Sequence, residues 1–249
     1  MTLLEWLGLV AAGLAGGLCG SIAGLASLVT YPSLLAIGLP PVSANVTNTV
    51  SLVCSSAGSI LGSRPELSRR GRMLRRFVVV GTFGGAIGGA ILLLTPPEAF
   101  AKVVPWLVAL SSVAVLWRRE LMEEATADAP LASRWIFLVV FAICVYAGYF
   151  GAGAGVLMLA ALLLATADPL PHSNAAKNLV LGFANLVAAL AFALFADVRW
   201  SAVVPLGLGL FVGGRLGPVV VRRADQRWLR LLIALGGLAL AVKLALDAY

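Results

Sequence analysis

Long runs of apolar residues, separated by short polar segments, occupy most of the chain. Most of these runs have the ~20 residues that a helix needs to cross ~30 Å of hydrocarbon. The runs cover residues 3–39, 42–62, 77–94, 100–117, 135–165, 174–196, 202–221 and 228–246. The pattern therefore predicts an all-α polytopic membrane protein.

The first and fifth runs are too long for a single helix, and each has a glycine cluster at its middle. Gly20 and Gly24 lie in the first run, and Gly151 and Gly155 lie in the fifth. Glycine adopts backbone conformations that end a helix. We therefore predict that each run is a Gly-broken or re-entrant hairpin of two short helices, as in transporters whose interrupted helices surround the substrate.

The sequence pattern of the first half returns in the second half. The two glycine clusters are 131 positions apart, and residues 44–49 return 129 positions later as residues 173–178. Gly84, Gly88 and Gly89 return 125 positions later. This periodicity predicts two repeats, 1–119 and 134–249, joined by a linker at 120–133. Each repeat would contain the broken hairpin followed by three transmembrane helices.

Composition agrees with a membrane protein and excludes several other classes. Hydrophobic residues make up 61% of the chain, mean hydropathy is +1.00, and charged residues make up 12%, against about 25% in soluble proteins. The net charge of +7 indicates membrane topology, because no soluble basic domain is present to bind nucleic acid. The three cysteines are isolated in apolar runs, and the single histidine excludes a multi-histidine metal site. We expect neither a metal nor another cofactor.

The distribution of arginines predicts the topology. The segment between residues 62 and 77 contains six arginines, which places it in the cytoplasm, whereas its counterpart at 197–200 has one. The next loop shows the opposite bias, since 95–102 is nearly neutral and 222–230 holds four arginines. The two repeats should therefore be inverted relative to each other. The linker would be cytoplasmic and both termini would lie outside.

Two cations lie well inside apolar runs and are candidates for binding an anion. They are Lys177 and Arg215. A charge at the bilayer centre costs ~2.5–3.5 kcal/mol, so it indicates a functional site by default. The alternatives are that Lys177 extends to the nearby interface and that Arg215 forms a structural pair or extends to the cytoplasm.

Polar residues at two predicted helix starts form a second candidate feature. Helix starts present unpaired N–H groups and a positive dipole end, so two of them brought together would make an anion cradle. The predicted substrate-binding residues are Asn45, Asn48, Thr49, Asn174, Lys177, Asn178 and Arg215. The alternatives are that these amides only join helices, that Ser43 and Ser173 are helix caps, and that the glycines serve close packing.

His172 lies between Pro169 and Pro171 at the predicted membrane edge. Histidine changes charge near neutral pH, which makes His172 a candidate proton-coupling group. The alternative is a solvated loop residue.

Three motifs together resemble the sulfite exporter TauE/SafE family. They are the glycine-rich segment 16–24, the Tyr31-Pro32-Ser33-Leu34 motif, and the pair of segments Ile37-Gly38-Leu39-Pro40 and Ala44-Asn45-Val46-Thr47-Asn48. The pattern recurs after the charged linker, so the resemblance covers nearly the whole chain. It implies a bacterial inner-membrane permease for small anions such as sulfite, sulfoacetate, thiosulfate and carboxylates.

The sequence therefore predicts a secondary transporter of a small sulfur-containing anion, which is bound near the membrane midplane between the repeats. Its partners would be the anion and the lipid bilayer, with the oligomeric state left open and a homodimer as one option. A passive anion channel and a non-transporting assembly factor are alternatives. An intramembrane hydrolase using His172 as base is disfavoured, because no GxSxG motif accompanies it.

Overall fold

The computed structural model describes residues 1–67, 71–125, 133–166, 168–221 and 246. Secondary structure within these residues is helical. The helices are α1 (Leu3–Ala23), α2 (Ala26–Ala36), α3 (Pro41–Gly62), α4 (Arg64–Leu67), α5 (Arg72–Leu94), α6 (Pro97–Ala125), α7 (Ser133–Tyr149), α8 (Ala154–Ala165), α9 (Leu170–Phe195) and α10 (Trp200–Val221).

Four of the described helices, α1, α5, α9 and α10, are long and apolar enough to cross a membrane. The outer face of α5 shows how the sequence suits lipid. Val79, Phe83, Ile87 and Ile91 are spaced four residues apart and are all exposed, so they form one apolar stripe along the helix. The protein is an all-helical, multi-pass membrane protein.

The first apolar run divides at Gly24, as the sequence predicts. Gly24 has a φ of 79° and ends α1. The next N–H, that of Leu25, returns to the carbonyl of Cys19 at 3.3 Å, which is the pattern of a glycine-terminated helix. The fifth run divides between α7 and α8, where Gly151 and Gly153 have φ values of 75° and 73°.

Two of the predicted break glycines are not at the breaks. Gly20 lies inside α1 and Gly155 is the second residue of α8. Both instead allow close contact, because a side-chain carbon at Gly20 would overlap Ala26, and one at Gly155 would overlap Gly24. Gly153, rather than Gly155, has the left-handed backbone that starts α8.

Helix α1 of the first half packs against α10 of the second half. A side-chain carbon at Gly13 would overlap the backbone at Leu206, and one at Gly17 would overlap the backbone from Leu210 to Gly214. Because the numbers rise together along both helices, α1 and α10 are parallel. The glycine spacing therefore serves close backbone packing, as the alternative interpretation proposed.

Helices α5 and α7 form a second parallel pair across the halves. Gly84 lies against the backbone of Phe141 and Val145, and Gly88 lies against that of Val145 and Tyr149. Each half therefore places its first helix against a later helix of the other half.

Helices α3 and α9 run antiparallel. Ser43, near the start of α3, donates a hydrogen bond to the carbonyl of Asp197, just beyond the end of α9, at 2.9 Å. Further along, Gly182 of α9 lies against Ser56 of α3.

Buried side chains form two cores. The first includes Leu9, Leu34, Phe100 and Val198. We call this part of the molecule the closed end, because Ser43 and Thr47 of α3 bond there to the backbone of Asp197 and Arg199. The second includes Leu74, Phe77, Val140, Met158 and Leu162. We call this part the arginine end, because α5 begins there with Arg72, Arg75 and Arg76.

The structure differs from the sequence prediction at the linker. Helix α6 continues to Ala125, so the predicted linker at 120–133 begins as helix. Three predicted features lie outside the described residues. They are the rest of the linker up to residue 132, the apolar run at 228–245 and the arginines at 222–230.

Candidate functional site

The two helix breaks meet at the contact between Gly24 and Gly155. A side-chain carbon on either glycine would overlap the backbone of the other. The end of α1 and the starts of α2 and α8 therefore converge at one point inside the protein.

A cavity of about 60 Å³ lies at this convergence. Its lining includes the first residues of α2, Ala26 and Ser27, and the first residues of α8, Ala154 and Gly155. Neither helix start has a side-chain cap hydrogen bond. Helix starts carry unpaired N–H groups and the positive end of the helix dipole, so this position favours a negative charge.

Lys177 lines the same cavity from α9 and is only 1% exposed. Its Nζ donates to the carbonyls of Gly20 at 3.2 Å and Ser21 at 3.3 Å. These carbonyls belong to the last turn of α1, which is the negative end of that helix dipole. The side chain therefore points into the protein rather than to the interface, and its charge also stabilises the end of α1.

Several other polar residues of the cavity lie on the facing surfaces of α3 and α9. Asn178 and Asn185 line it from α9, and Ser55 and Ser56 line it from α3. The Asn178 Nδ2 is buried with no hydrogen-bond partner among the described residues. A buried N–H donor without a partner, on a residue that lines a small cavity, suits an anionic ligand.

Sequence reasoning identified Lys177 and Asn178 but missed Ser21, Ser27, Ser55, Ser56 and Asn185. Asn185 was detectable, because it follows Asn178 by seven residues and so lies on the same helix face. The serines offered no comparable signal, since serine is common in the small-residue interfaces of membrane helices.

Asn45 and Asn174 instead form hydrogen bonds to the helix ends at the breaks. The Asn45 Nδ2 donates to the carbonyl of Tyr149, at the end of α7, at 2.9 Å. The Asn174 Nδ2 donates to the carbonyl of Ser21, near the end of α1, also at 2.9 Å. Each asparagine thus satisfies a helix end in the other half of the protein.

Asn48 and Thr49 do not line the cavity either. Asn48 accepts from Thr30 at 2.5 Å and donates to Ser27 at 3.1 Å, which ties α3 to α2. Thr49 donates to the carbonyl of Asn45 in its own helix. These contacts match the alternative interpretation that amides join helices.

The helix starts that the sequence predicted for the anion site are not the ones at the cavity. Helices α3 and α9 begin at Pro41 and Leu170, and no side chain caps either one. Ser43 and Ser173 are therefore not caps, and Asn174 and Lys177 lie in the second and third turns of α9. The helix starts at the cavity belong to α2 and α8.

Arg215 and His172 lie away from this cavity. Arg215 is exposed on α10. His172 lines a larger cavity of about 580 Å³ at the arginine end, together with Phe77, Asp168 and Ala176. The His172 Nδ1 and the Ser173 Oγ have no hydrogen-bond partner among the described residues.

Within the part of the chain that the structure describes, no three His, Cys, Asp or Glu side chains come together as metal ligands. The described lining of the cavity at the helix breaks contains hydrogen-bond donors and Lys177. Its chemistry suits binding of an anion.

Three features together define a polytopic membrane transporter. They are the helical membrane fold, the two helix breaks that meet, and the buried cation beside them. The chain belongs to the sulfite exporter TauE/SafE family, whose sequence model matches residues 9–244. The resemblance inferred from the glycine and proline motifs is confirmed. Members of this family are transporters and not enzymes.

Curated relatives match across nearly the whole chain. The probable membrane transporter protein YfcA of Escherichia coli (strain K12) is 26% identical over 236 residues, covering 94% of this chain and 87% of the relative. A probable membrane transporter protein of Haemophilus influenzae is 26% identical over 230 residues, with 91% and 89% covered. Probable membrane transporter protein ORF9 of Sinorhizobium sp. is 26% identical over 241 residues, with 93% and 88% covered. No solved structure matches the chain.

Proposed function

We propose that this protein is a secondary transporter of a small sulfur-containing anion, such as sulfite, thiosulfate or sulfoacetate. We place the substrate in the 60 Å³ cavity at the helix breaks, in a bacterial inner membrane with both termini outside. The observation that carries the proposal is the buried Lys177 ammonium, which shares this cavity with the starts of α2 and α8.

The electrostatics of the cavity support an anionic substrate. Burying Lys177 in the membrane costs ~2.5–3.5 kcal/mol on insertion scales, and the carbonyls of Gly20 and Ser21 offset part of that cost. Each helix start adds about 0.3–1 kcal/mol of attraction for a negative charge, and up to ~2 kcal/mol in a partly buried site. The ends of α1 and α7 also line the cavity, and their negative dipole ends oppose part of this attraction. Lys177 and the two helix starts would therefore supply the positive charge that a bound anion needs.

The cavity volume limits the substrate size. One water molecule needs about 10–15 Å³ of such volume, so 60 Å³ admits an ion of only a few heavy atoms. Sulfite and thiosulfate fit this limit better than sulfoacetate.

Residues that line the cavity support two inverted repeats. Leu52 and Leu181 are counterparts at the repeat offset of 129, and so are Ser56 and Asn185, and all four line the cavity. Gly24 and Gly155, which are 131 positions apart, contact each other. The antiparallel α3 and α9 and the two parallel pairs across the halves agree with the same arrangement. A substrate site at the interface of two repeats is typical of transporters.

The two ends of the molecule differ, which supports a transporter over a channel. At the closed end, Ser43 bonds to the carbonyl of Asp197 at 2.9 Å, and Thr47 accepts from the Arg199 N–H at 3.0 Å. At the arginine end, His172, the repeat counterpart of Ser43, lines the 580 Å³ cavity instead. We propose that this cavity is the cytoplasmic access route and that the two ends open in alternation.

Flux measured in proteoliposomes tests the proposal. Vesicles loaded with unlabelled sulfite should take up labelled sulfite until its concentration inside exceeds that outside. This accumulation is expected because uptake of the label is coupled to the exit of unlabelled sulfite down its gradient. Flux that never exceeds simple equilibration would indicate a passive channel. An assembly factor would show no flux with sulfite, thiosulfate or sulfoacetate.

A further inference from the structure

Three arginines lie together at the start of α5, on the outer surface of the protein. They are Arg72, Arg75 and Arg76, and all three are exposed. Arg75 and Arg76 follow Arg72 by three and four residues, so all three lie on one side of the helix. The apolar stripe that begins at Val79 continues along α5 from this point, so the arginines lie where the helix enters the membrane.

Two apolar grooves leave this cluster, one on each side of α5. The first, between α5 and α7, has a volume of about 510 Å³ and is lined by the three arginines with Val79, Val80 and Phe137. The second, between α5 and α9, also has about 510 Å³ and is lined by Arg75 and Val79 together with Leu67, Gly71, Leu74, Val78, Leu179 and Phe183. Arg75 and Val79 line both grooves.

We propose that this surface binds one anionic phospholipid, with its phosphate on the three arginines and one acyl chain in each groove. Guanidinium groups bind phosphate oxygens in pairs. Among the residues that the structure describes, those that line the two grooves include no acidic side chain, so the charge of the surface complements an anionic headgroup. Basic pockets between membrane helices on the cytoplasmic side are a known form of lipid recognition.

The shape of the surface distinguishes a phospholipid from free phosphate. Free phosphate would need only the arginines, whereas the grooves offer apolar surface that suits hydrocarbon chains on both sides of Arg75. The inference depends on the membrane fold and not on the identity of the transported anion.

A thermal-shift titration of the detergent-purified full chain tests the proposal. Phosphatidylglycerol should raise the melting temperature at a concentration at least tenfold lower than phosphatidylcholine does, and inorganic phosphate should have no effect. The triple variant Arg72→Gln/Arg75→Gln/Arg76→Gln should lose this preference. Arg215→Gln, which changes an exposed arginine on another helix, should keep it.

A second pair of variants tests the grooves. Val79→Trp should fill the space on both sides of Arg75 and reduce the effect of phosphatidylglycerol, whereas Ile87→Trp, farther along the same exposed stripe, should not. If the triple variant does not fold, Arg75→Gln alone should weaken the preference by at least threefold. An unchanged preference in the folded arginine variants, or equal stabilisation by inorganic phosphate, would overturn the proposal.

Discussion

The Lys177 ammonium in the second half of the chain donates to the Gly20 carbonyl in the first half at 3.2 Å. This contact joins the only lysine of α9 to the last turn of α1, just before the helix breaks. The same side chain lines the cavity at the starts of α2 and α8. One cation therefore stabilises a helix end and supplies charge at the proposed substrate site.

Removing the charge of Lys177 should weaken anion binding. We expect Lys177→Met to lower sulfite affinity at least tenfold, which is about 1.4 kcal/mol, because the cavity loses the charge of the Lys177 ammonium. Lys177→Arg should retain part of the affinity, since the charge persists although the shape changes. Isothermal calorimetry on folded, purified protein measures both.

Lys102→Met is the matched control for charge, because Lys102 is an exposed cation outside the cavity. It should leave sulfite affinity unchanged. Equal sulfite affinity in wild type and Lys177→Met would show that Lys177 is not part of the substrate site. Its role would then be to bond to the end of α1.

The contact between Gly24 and Gly155 should not tolerate a side chain. Gly24→Leu or Gly155→Leu should abolish sulfite transport while the protein still inserts in the membrane, because each side chain would overlap the opposing backbone. Gly24→Leu would also strain a backbone with a φ of 79°. Gly8→Leu is the control, since nothing lies within 4 Å of a side-chain carbon there. Wild-type transport in both central variants would show that the contact is dispensable.

Much of the fold follows from single residues in the sequence. Gly24 and Gly151 marked the breaks because left-handed backbone favours glycine, and the overlong runs around them could not be single helices. Lys177 was a candidate because a charge inside an apolar run needs compensation. These inferences depend on local chemistry and on distances along the chain.

The partners of the polar side chains did not follow from the sequence. Asn48 and Lys177 occupy equivalent repeat positions, yet Asn48 bonds to Thr30 and Ser27 while Lys177 lines the cavity. That difference depends on which helices pack together. For the same reason, the sequence assigned the anion cradle to the starts of α3 and α9 rather than to those of α2 and α8.

The proposed topology predicts which surface positions react with external reagents. In a variant with Cys19, Cys54 and Cys144 replaced by alanine, cysteines at Glu98 and Asp197 should react with a membrane-impermeant maleimide in intact cells. A cysteine at Arg72 should react only after the membrane is opened, because the arginines of α5 are expected in the cytoplasm. Labelling of the Arg72 and Asp197 positions from the same side would contradict the inverted arrangement.

Filling the larger cavity should block access to the substrate site from the arginine end. Ala176 lines the 580 Å³ cavity one residue before Lys177, so Ala176→Phe should abolish sulfite flux. Leu179→Phe changes a residue of the same helix that lines the outer groove instead, and it should leave flux within about twofold of wild type.

Mutation of His172, which lines the same cavity, tests proton coupling. His172→Gln keeps a polar side chain but cannot change charge, so accumulation of sulfite driven by a pH gradient should be lost while exchange between two sulfite pools persists. The two assays separate coupling from access, because Ala176→Phe should remove both activities and His172→Gln only the first. If pH-driven accumulation survives in His172→Gln, the histidine is a cavity-lining residue and the coupling group lies elsewhere.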